Sequence, residues 1–245
     1  VWGPLEFGFV VTLWTRELIK AVIEKYFGVQ MSVSAVGRLL ERMDFSPQRP
    51  LRRSYLRDSE KVSEWKEKEF IEIKELAKNE GAEIYFMDEA GVSTAYHAGT
   101  SWGPRAVTPI IPNSGKRHRV NIIASVSHNG QLHYQIGPQS VTGDVTINYL
   151  KSLADSVNKP VYVVLDSHPA HRSKTVQEAV ASTNGKIKLF YLPYYAPDLN
   201  PAELVWNMIK PHGIARQLIK DGQDLVNKVT HLLQDLKEVT RKVAS

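Results

Sequence analysis

Residues 160–166 read PVYVVLD: a proline, five apolar residues without a polar break, then a carboxylate. A run so short and so uniformly apolar reads as a strand buried on both faces, the kind found at the centre of an α/β sheet. Working outward, EIYFMDEAG (83–91) is another apolar strand that reaches an acid, and IKLFYLP (187–193) is a third. RVNIIASVS (119–127) and QLHYQI (131–136) are joined through His128, Asn129 and Gly130, and the Asn-Gly pair is a strong hairpin signal. The stretch 100–112 reads as a further strand with turns. Helices are predicted over 143–157, over 171–183 and after Asn200. The order implies antiparallel strands first and strand-helix-strand units afterwards.

Before residue 82 the texture is helical. Leu18, Ile19, Val22, Ile23 and Tyr26 recur at helical spacing, with Thr15 suited to cap the start and Gly28 the stop. A second helix from Ser32 buries Val36, Leu39, Leu40 and Met43 and leaves Ser34, Arg38 and Arg42 on its other face. Two short helices about a glycine turn are the helix-turn-helix pattern, or simply a small helical subdomain with solvated arginines. SPQRPLRRSYLRD (46–58) follows, an extended linker carrying Arg49, Arg52, Arg53 and Arg57. From Met31 to Arg57 six arginines face two acids, a surplus of four charges suited to phosphate contact or minor-groove insertion. A charged helix is predicted over 59–79, ended by Gly81.

The 245 residues suffice for one large domain or a medium and a small one. No apolar run approaches the roughly 18 residues of a membrane span. The absence of cysteine excludes disulfides and thiolate metal sites, so any metal is held by carboxylate or imidazole. A formal charge of +5 is a mild invitation to polyanions. A cytoplasmic, nucleoid-associated location is expected. The chain opens on Val1 rather than Met, which suggests a fragment lacking its natural start.

Asp88 and Asp166 each close an apolar run, which puts carboxylates at the sheet edge where open α/β folds carry their sites. In LPYYAPDLNPAELVW (192–206) Asn200 is a good N-cap, Pro201 suits the first helical position, and Glu203 falls third. Glu203 then either completes a capping box with Asn200 or turns toward Asp88 and Asp166. Three converging acids repel unless cations neutralise them, and hard oxygen ligands select Mg²⁺ or Mn²⁺. Two such ions clamp the attacking and leaving oxygens of a phosphodiester. Asp166, His168 and His171 also form D-x-H-x-x-H, a weaker zinc pattern. Lys116, Arg117 and Arg119 in SGKRHRVN (114–121) are candidates for phosphate contact beside the site, or a solvated turn. Trp102 in SWGP is a candidate to stack on a base, or a packing anchor.

MDEAG, SWGP, VVLDSHPAH and LPYYAPDLNPAELVW, in that order, resemble the mariner-type DDE transposases, specifically their prokaryotic insertion-sequence branch designated "six-thirty". The resemblance covers most of the chain. It implies a ribonuclease-H-like mixed sheet flanked by helices, preceded by small all-α helix-turn-helix, winged-helix-like modules that bind terminal inverted repeats. Residues 1–45 resemble the second such module, 46–58 the linker, and 59–245 the catalytic domain with its leading helix. The first module would lie before Val1. The resemblance implies that Asp88, Asp166 and Glu203 are the metal-holding catalytic acids, with Asp198 a rival for the third place. It gives Glu89 and His171 accessory parts. Ser167 departs from the pattern, standing where many members have Asn. The implied activity is Mg²⁺-dependent cleavage at element ends, with Mn²⁺ able to substitute, and strand transfer into target DNA at TA by a homodimer. A non-catalytic DNA-binding descendant and a nuclease without strand transfer are the alternatives.

Overall fold

The computed structural model describes residues 3–48, 54, 56–94, 104, 106, 110, 115–137 and 141–244. The chain divides into two compact units, Val1–Arg52 and Arg53–Ser245, with the division inside the segment 46–58.

In the first unit, α1 (Arg16–Phe27) starts where Thr15 Oγ1 accepts the Leu18 N–H and stops at Gly28, whose φ of 66° a side chain would resist. The second helix, α2 (Val33–Arg42), is capped by Ser32 Oγ on the Ala35 N–H at 3.1 Å. Val36 and Gly37 are its buried residues, and the space above Gly37 is filled by the Arg16 guanidinium. Both helices match the sequence expectation except at the end of the second, where α2 stops at Arg42 and Met43, expected on its apolar side, is exposed.

The second unit opens with α3 (Ser59–Glu64), capped by Asp58 on the Glu60 and Lys61 N–H groups. It runs through a π-helical segment, Trp65–Glu69, into α4 (Phe70–Glu80), which ends at Gly81. The five-stranded sheet has the order β3-β2-β1-β4-β5. β1 (Glu83–Ser93) pairs antiparallel with β2 (Arg119–Ser127), which pairs antiparallel with β3 (Leu132–Gly137). On its other side β1 runs parallel to β4 (Val161–Leu165), and β4 to β5 (Ile187–Tyr191). In the β2–β3 hairpin only Gly130 takes positive φ, at 78°; Asn129 does not. The helices are α5 (Gly143–Ser156), α6 (Lys174–Ala181), the short α7 (Glu203–Asn207) and α8 (Gly222–Ala244). The helix expected from 171 thus begins at Lys174, and residues 168–172 form turns.

Strand alternation sorts the core. Tyr85, Met87, Ile123, Val163 and Leu165 pack on one face under Tyr149, Leu150 and Leu153 of α5 and Val176 of α6. The other face holds two clusters. Ile84, Phe86, Tyr162 and Val164 lie under Trp65, Ile73 and Ala77, while Ala90, Val92, Ile122 and Ala124 lie under Trp206, Ile209, Leu225 and Leu233. Asp88 belongs to this second face by alternation and sits at the seam between the two clusters. Every residue of β4 is fully buried, as its composition predicts. Among the described residues no helix is long and apolar enough to cross a membrane.

Candidate active site

Asp88 does not end a strand, as its sequence context suggested. β1 continues to Ser93, with Asp88 opposite Ala124 of β2. What ends near it is the parallel partner: the β1–β4 pairing stops at Phe86 and Val164. Asp88 and Asp166 each lie two residues beyond that last pair, so they leave adjacent strands, about 5 Å apart, at the same register. The carboxylates are therefore brought to one edge by the sheet itself.

Asn200 joins the later turn to this edge. It is 5 % exposed; its Nδ2 donates to the Met87 carbonyl at 2.9 Å, and its Oδ1 accepts the Ala202 N–H at 3.1 Å. α7 begins at Glu203 itself, with Ala202 at its N-cap and no side-chain cap, so Asn200 folds the turn ahead of the helix instead of capping it, and no capping box is formed. The Asn200 N–H donates to Pro197 O at 2.9 Å and not to the Glu203 carboxylate. Glu203, half-buried at the start of α7, is close enough to Asp88 to disfavour its charge. Three residues on, Trp206 Nε1 donates to Asp88 Oδ2 at 2.7 Å. Positions i and i+3 share a helix face, so α7 presents one acid and one donor toward Asp88. Asn200 was read only as a cap and Trp206 not at all; the spacing of Trp206 from Glu203 was the available signal.

Burial pushes the Asp88 carboxyl up to about 7, the Trp206 bond opposes this, and the charges of Glu203 and Glu89 add to it. His171 is 3 % exposed, with Nε2 at 3.2 Å from Glu89 Oε1 and 3.5 Å from Asp166 Oδ1. Burial pulls its imidazole down, but the bond to Glu89 and the fields of Glu89, Asp166 and Asp88 outweigh it and leave it raised. Asp166 Oδ1 also accepts the His168 N–H at 3.0 Å, and His168 Nδ1 accepts the Ala170 N–H at 3.3 Å. His168 is thereby tied into its own turn. Ser167 is buried and donates from Oγ to Leu192 O at 2.8 Å.

Among the described residues no three His, Asp or Glu side chains stand close enough to enclose an ion. The convergence expected of Asp88, Asp166 and Glu203 is therefore not a finished cage, nor is the D-x-H-x-x-H zinc pattern. Asp166 is turned to its own loop and half-exposed, and one oxygen of Asp88 is taken by Trp206. The donor set nonetheless suits a hard divalent cation: carboxylate oxygens, one of them on a carboxyl that burial and neighbouring acids keep from ionising easily.

The other candidates separate. Ser34, Arg38 and Arg42 are exposed on α2. Arg57 does not belong to a free arm: its side chain is 9 % exposed and its guanidinium pairs with Asp198, Nη2 to Oδ2 at 3.0 Å. That pair also occupies Asp198, the rival acid. Lys116 and Arg117 are exposed ahead of β2, and Arg119 opens it opposite Ser93. That is five residues along β1 from Asp88, with the Arg119 guanidinium turned back over Gly91. Arg49, Arg52, Arg53 and Trp102, and most of 100–112, lie outside the described residues.

Residues 83–226 match the family described as DDE superfamily endonuclease, and residues 10–69 the family described as winged helix-turn helix. The chain is similar to a Shigella sonnei protein described as the insertion element IS630 uncharacterized 39 kDa protein. The two are 22 % identical over 237 residues, spanning 95 % of this chain and 67 % of that protein. Its fold resembles that of the Mos1 mariner paired end complex with Mn, with a TM-score of 0.62 and 14 % identity over 95 % of this chain and 74 % of that one. The Mos1 strand transfer complex gives 0.59 and 14 %, over 97 % and 79 %. The mixed sheet between helix layers is the ribonuclease-H-like arrangement of those structures.

Proposed function

Because the chain belongs to the DDE superfamily endonucleases, we propose that it is a DNA transposase of the insertion-sequence branch, cleaving at element ends and joining the freed 3′-hydroxyl to target DNA. Asp88, Asp166 and Glu203 are its catalytic acids and would hold Mg²⁺, or Mn²⁺ in its place. The observation that carries this reading is that Asp88 and Asp166 each stand two residues beyond the last pair of the parallel strands β1 and β4, with α7 docked on Asp88 through Trp206. When bound, divalent ions neutralise the charge of a phosphodiester and favour in-line displacement. The chain's own residues supply orientation. Trp206 fixes one oxygen of Asp88, Asn200 fixes the turn that delivers Glu203, and His171 Nε2 stands between Glu89 and Asp166.

Ser34, Arg38 and Arg42 on α2 are proposed to contact the terminal inverted repeats, with Arg49, Arg52 and Arg53 on phosphates. Lys116, Arg117 and Arg119 would then hold DNA beyond the acids. The chain is proposed to act as two copies at the nucleoid with TA as target; the likeness to Mos1 structures described as a paired end complex and a strand transfer complex supports action on DNA ends. Incubation of pre-cleaved ends with target DNA and Mn²⁺ tests the activity. Joined product is expected from the wild type, and Asp88→Ala, Asp166→Ala and Glu203→Ala should each lower it at least about 10³-fold with end binding retained. Hydrolysis without joining would make the chain a nuclease, and unimpaired variants would remove the three acids from the mechanism.

A further inference from the structure

Beside the acids stands a group of rings and one cation that the chemistry above does not use. Arg172 follows His171, and its guanidinium carbon lies 4.1 Å from the centre of the Tyr191 ring and 5.9 Å from that of Tyr194. Its Nη2 donates to Ser167 Oγ at 3.0 Å, one residue from Asp166. These partners are a hydroxyl and two ring faces, none of them negatively charged. Tyr194 and Tyr195 are 60 % and 51 % exposed, with ring centres 6.5 Å apart and tilted by 45°. Tyr195 holds a φ of 57°, which bulky side chains avoid and which persists where the surroundings over-determine it. Core packing accounts for the partly buried Tyr191, whose hydroxyl donates to His171 O at 3.1 Å. It does not account for two adjacent tyrosines kept in solvent beside a cation, in the turn that runs from β5 to Glu203.

We propose that Tyr194, Tyr195 and Arg172 form a subsite for one unpaired nucleotide of the DNA strand bordering the phosphodiester at the acids, its base against the tyrosine rings and its phosphate toward Arg172. The inference rests on the reading of the chain as a DNA-strand-processing enzyme. Aromatic side chains stack on any base, so such a subsite is sequence-tolerant, and an arginine beside the rings adds charge attraction to the backbone phosphate. It selects unpaired over paired nucleotides, because a base inside a duplex already has both faces covered by its neighbours. A strand opened at the cleavage point is thereby kept from re-pairing across the acids.

The test needs no catalysis. In EDTA, the full chain is titrated with a mixed-sequence duplex carrying a three-nucleotide single-stranded overhang, with 2-aminopurine as its first unpaired base, and with the blunt duplex. The wild type is expected to bind the overhang DNA about 5- to 100-fold more tightly and to quench the probe. Tyr194→Leu combined with Tyr195→Asn, the asparagine tolerating positive φ, should remove both preference and quenching and change blunt-duplex affinity less than about two-fold. Tyr194→Leu alone, which leaves the strained position intact, should lose part of the preference and thereby answers for the double variant if that fails to fold. Equal affinity of the wild type for both DNAs, or an equal loss on both in either variant, overturns the subsite; equal loss would point to a protein-contact or folding role for the rings. Strand transfer by a wild type without overhang preference would sink the subsite alone, whereas overhang preference with unimpaired Asp88→Ala cleavage would sink only the reading of the acids.

Discussion

The indole N–H of Trp206 lies 2.7 Å from Oδ2 of Asp88, linking α7 to the middle of β1 across 118 residues of chain. Asp88 is held where burial and two neighbouring carboxylates disfavour its charge. A donor on one oxygen fixes the rotamer and leaves the other oxygen for a ligand. Trp206→Phe keeps most of the buried ring and deletes the N–H. The expected loss is that of a hydrogen bond to a charged group, about 1.5–3 kcal/mol, or about 10- to 100-fold in turnover with little change in DNA affinity. Single-turnover cleavage at saturating DNA measures it; unchanged turnover would make the contact incidental.

The raised Asp88 carboxyl sets a direction for pH. Its folded value of about 7 lies above the ordinary carboxylate value near 4, so the unfolded chain ionises first. Metal-free stability should therefore be greatest at acid pH with respect to this group. It should fall as pH rises from about 4 through 7 and level off above, a total on the order of 4 kcal/mol at most. Thermal melting from pH 5 to 9 in EDTA should show Asp88→Asn with a flatter profile than the wild type. Added Mg²⁺ or Mn²⁺ should raise the wild-type melting point more at pH 8 than at pH 6, because the ion binds the ionised form. Parallel profiles for the two proteins would contradict the buried charge.

Arg57 and Asp198 form a forked pair between the segment ahead of α3 and the turn ahead of Glu203. Its strength is bounded by the 47 % exposure of Asp198, so a double-mutant cycle of Arg57→Ala and Asp198→Ala should return a coupling of about 1 kcal/mol. Arg57→Ala should leave the salt dependence of DNA binding as in the wild type, whereas Arg38→Ala on the exposed face of α2 should reduce its slope by about one. Titrations at four salt concentrations decide it. A reduced slope for Arg57→Ala would return that residue to the DNA-contacting set.

Ser167 Oγ bridges Leu192 O and Arg172 in a site that is 5 % exposed. Ser167→Ala should cost about 1–3 kcal/mol, the price of leaving a buried carbonyl unpaired, and lower the melting point by several degrees. Ser167→Asn places a larger side chain in the same buried pocket and should also destabilise, by about 1–3 kcal/mol. Calorimetric melting of both variants measures the effect. A more stable Ser167→Asn would mean that the pocket relaxes around the larger amide.

Much of the architecture was readable residue by residue. The buried run 161–165 announced a central strand, Thr15 and Ser32 announced helix starts, and Gly28 and Gly81 announced stops, because apolar periodicity and capping are properties of a few consecutive residues. The acids Asp88, Asp166 and Glu203 were also legible as candidates, through their settings and through a family resemblance. Their relationships were not. That β1 runs past Asp88 follows from its pairing with β2, which lies beyond any local window. The choice of Glu203 between its own helix start and Asp88 turned on Asn200, whose N–H is taken by Pro197 O and whose side chain is taken by Met87 O.

The amino-acid order by itself located the apolar centres of most strands and helices, since burial of apolar surface is decided where the apolar residues stand in the period. Tertiary structure alone decided that Trp206 holds Asp88, that Arg57 is occupied by Asp198, and that His171 sits between Glu89 and Asp166. A hydrogen bond or ion pair needs its partners within about 3 Å and properly aimed. Only strand register and helix docking bring groups that many residues of chain separate to within that distance.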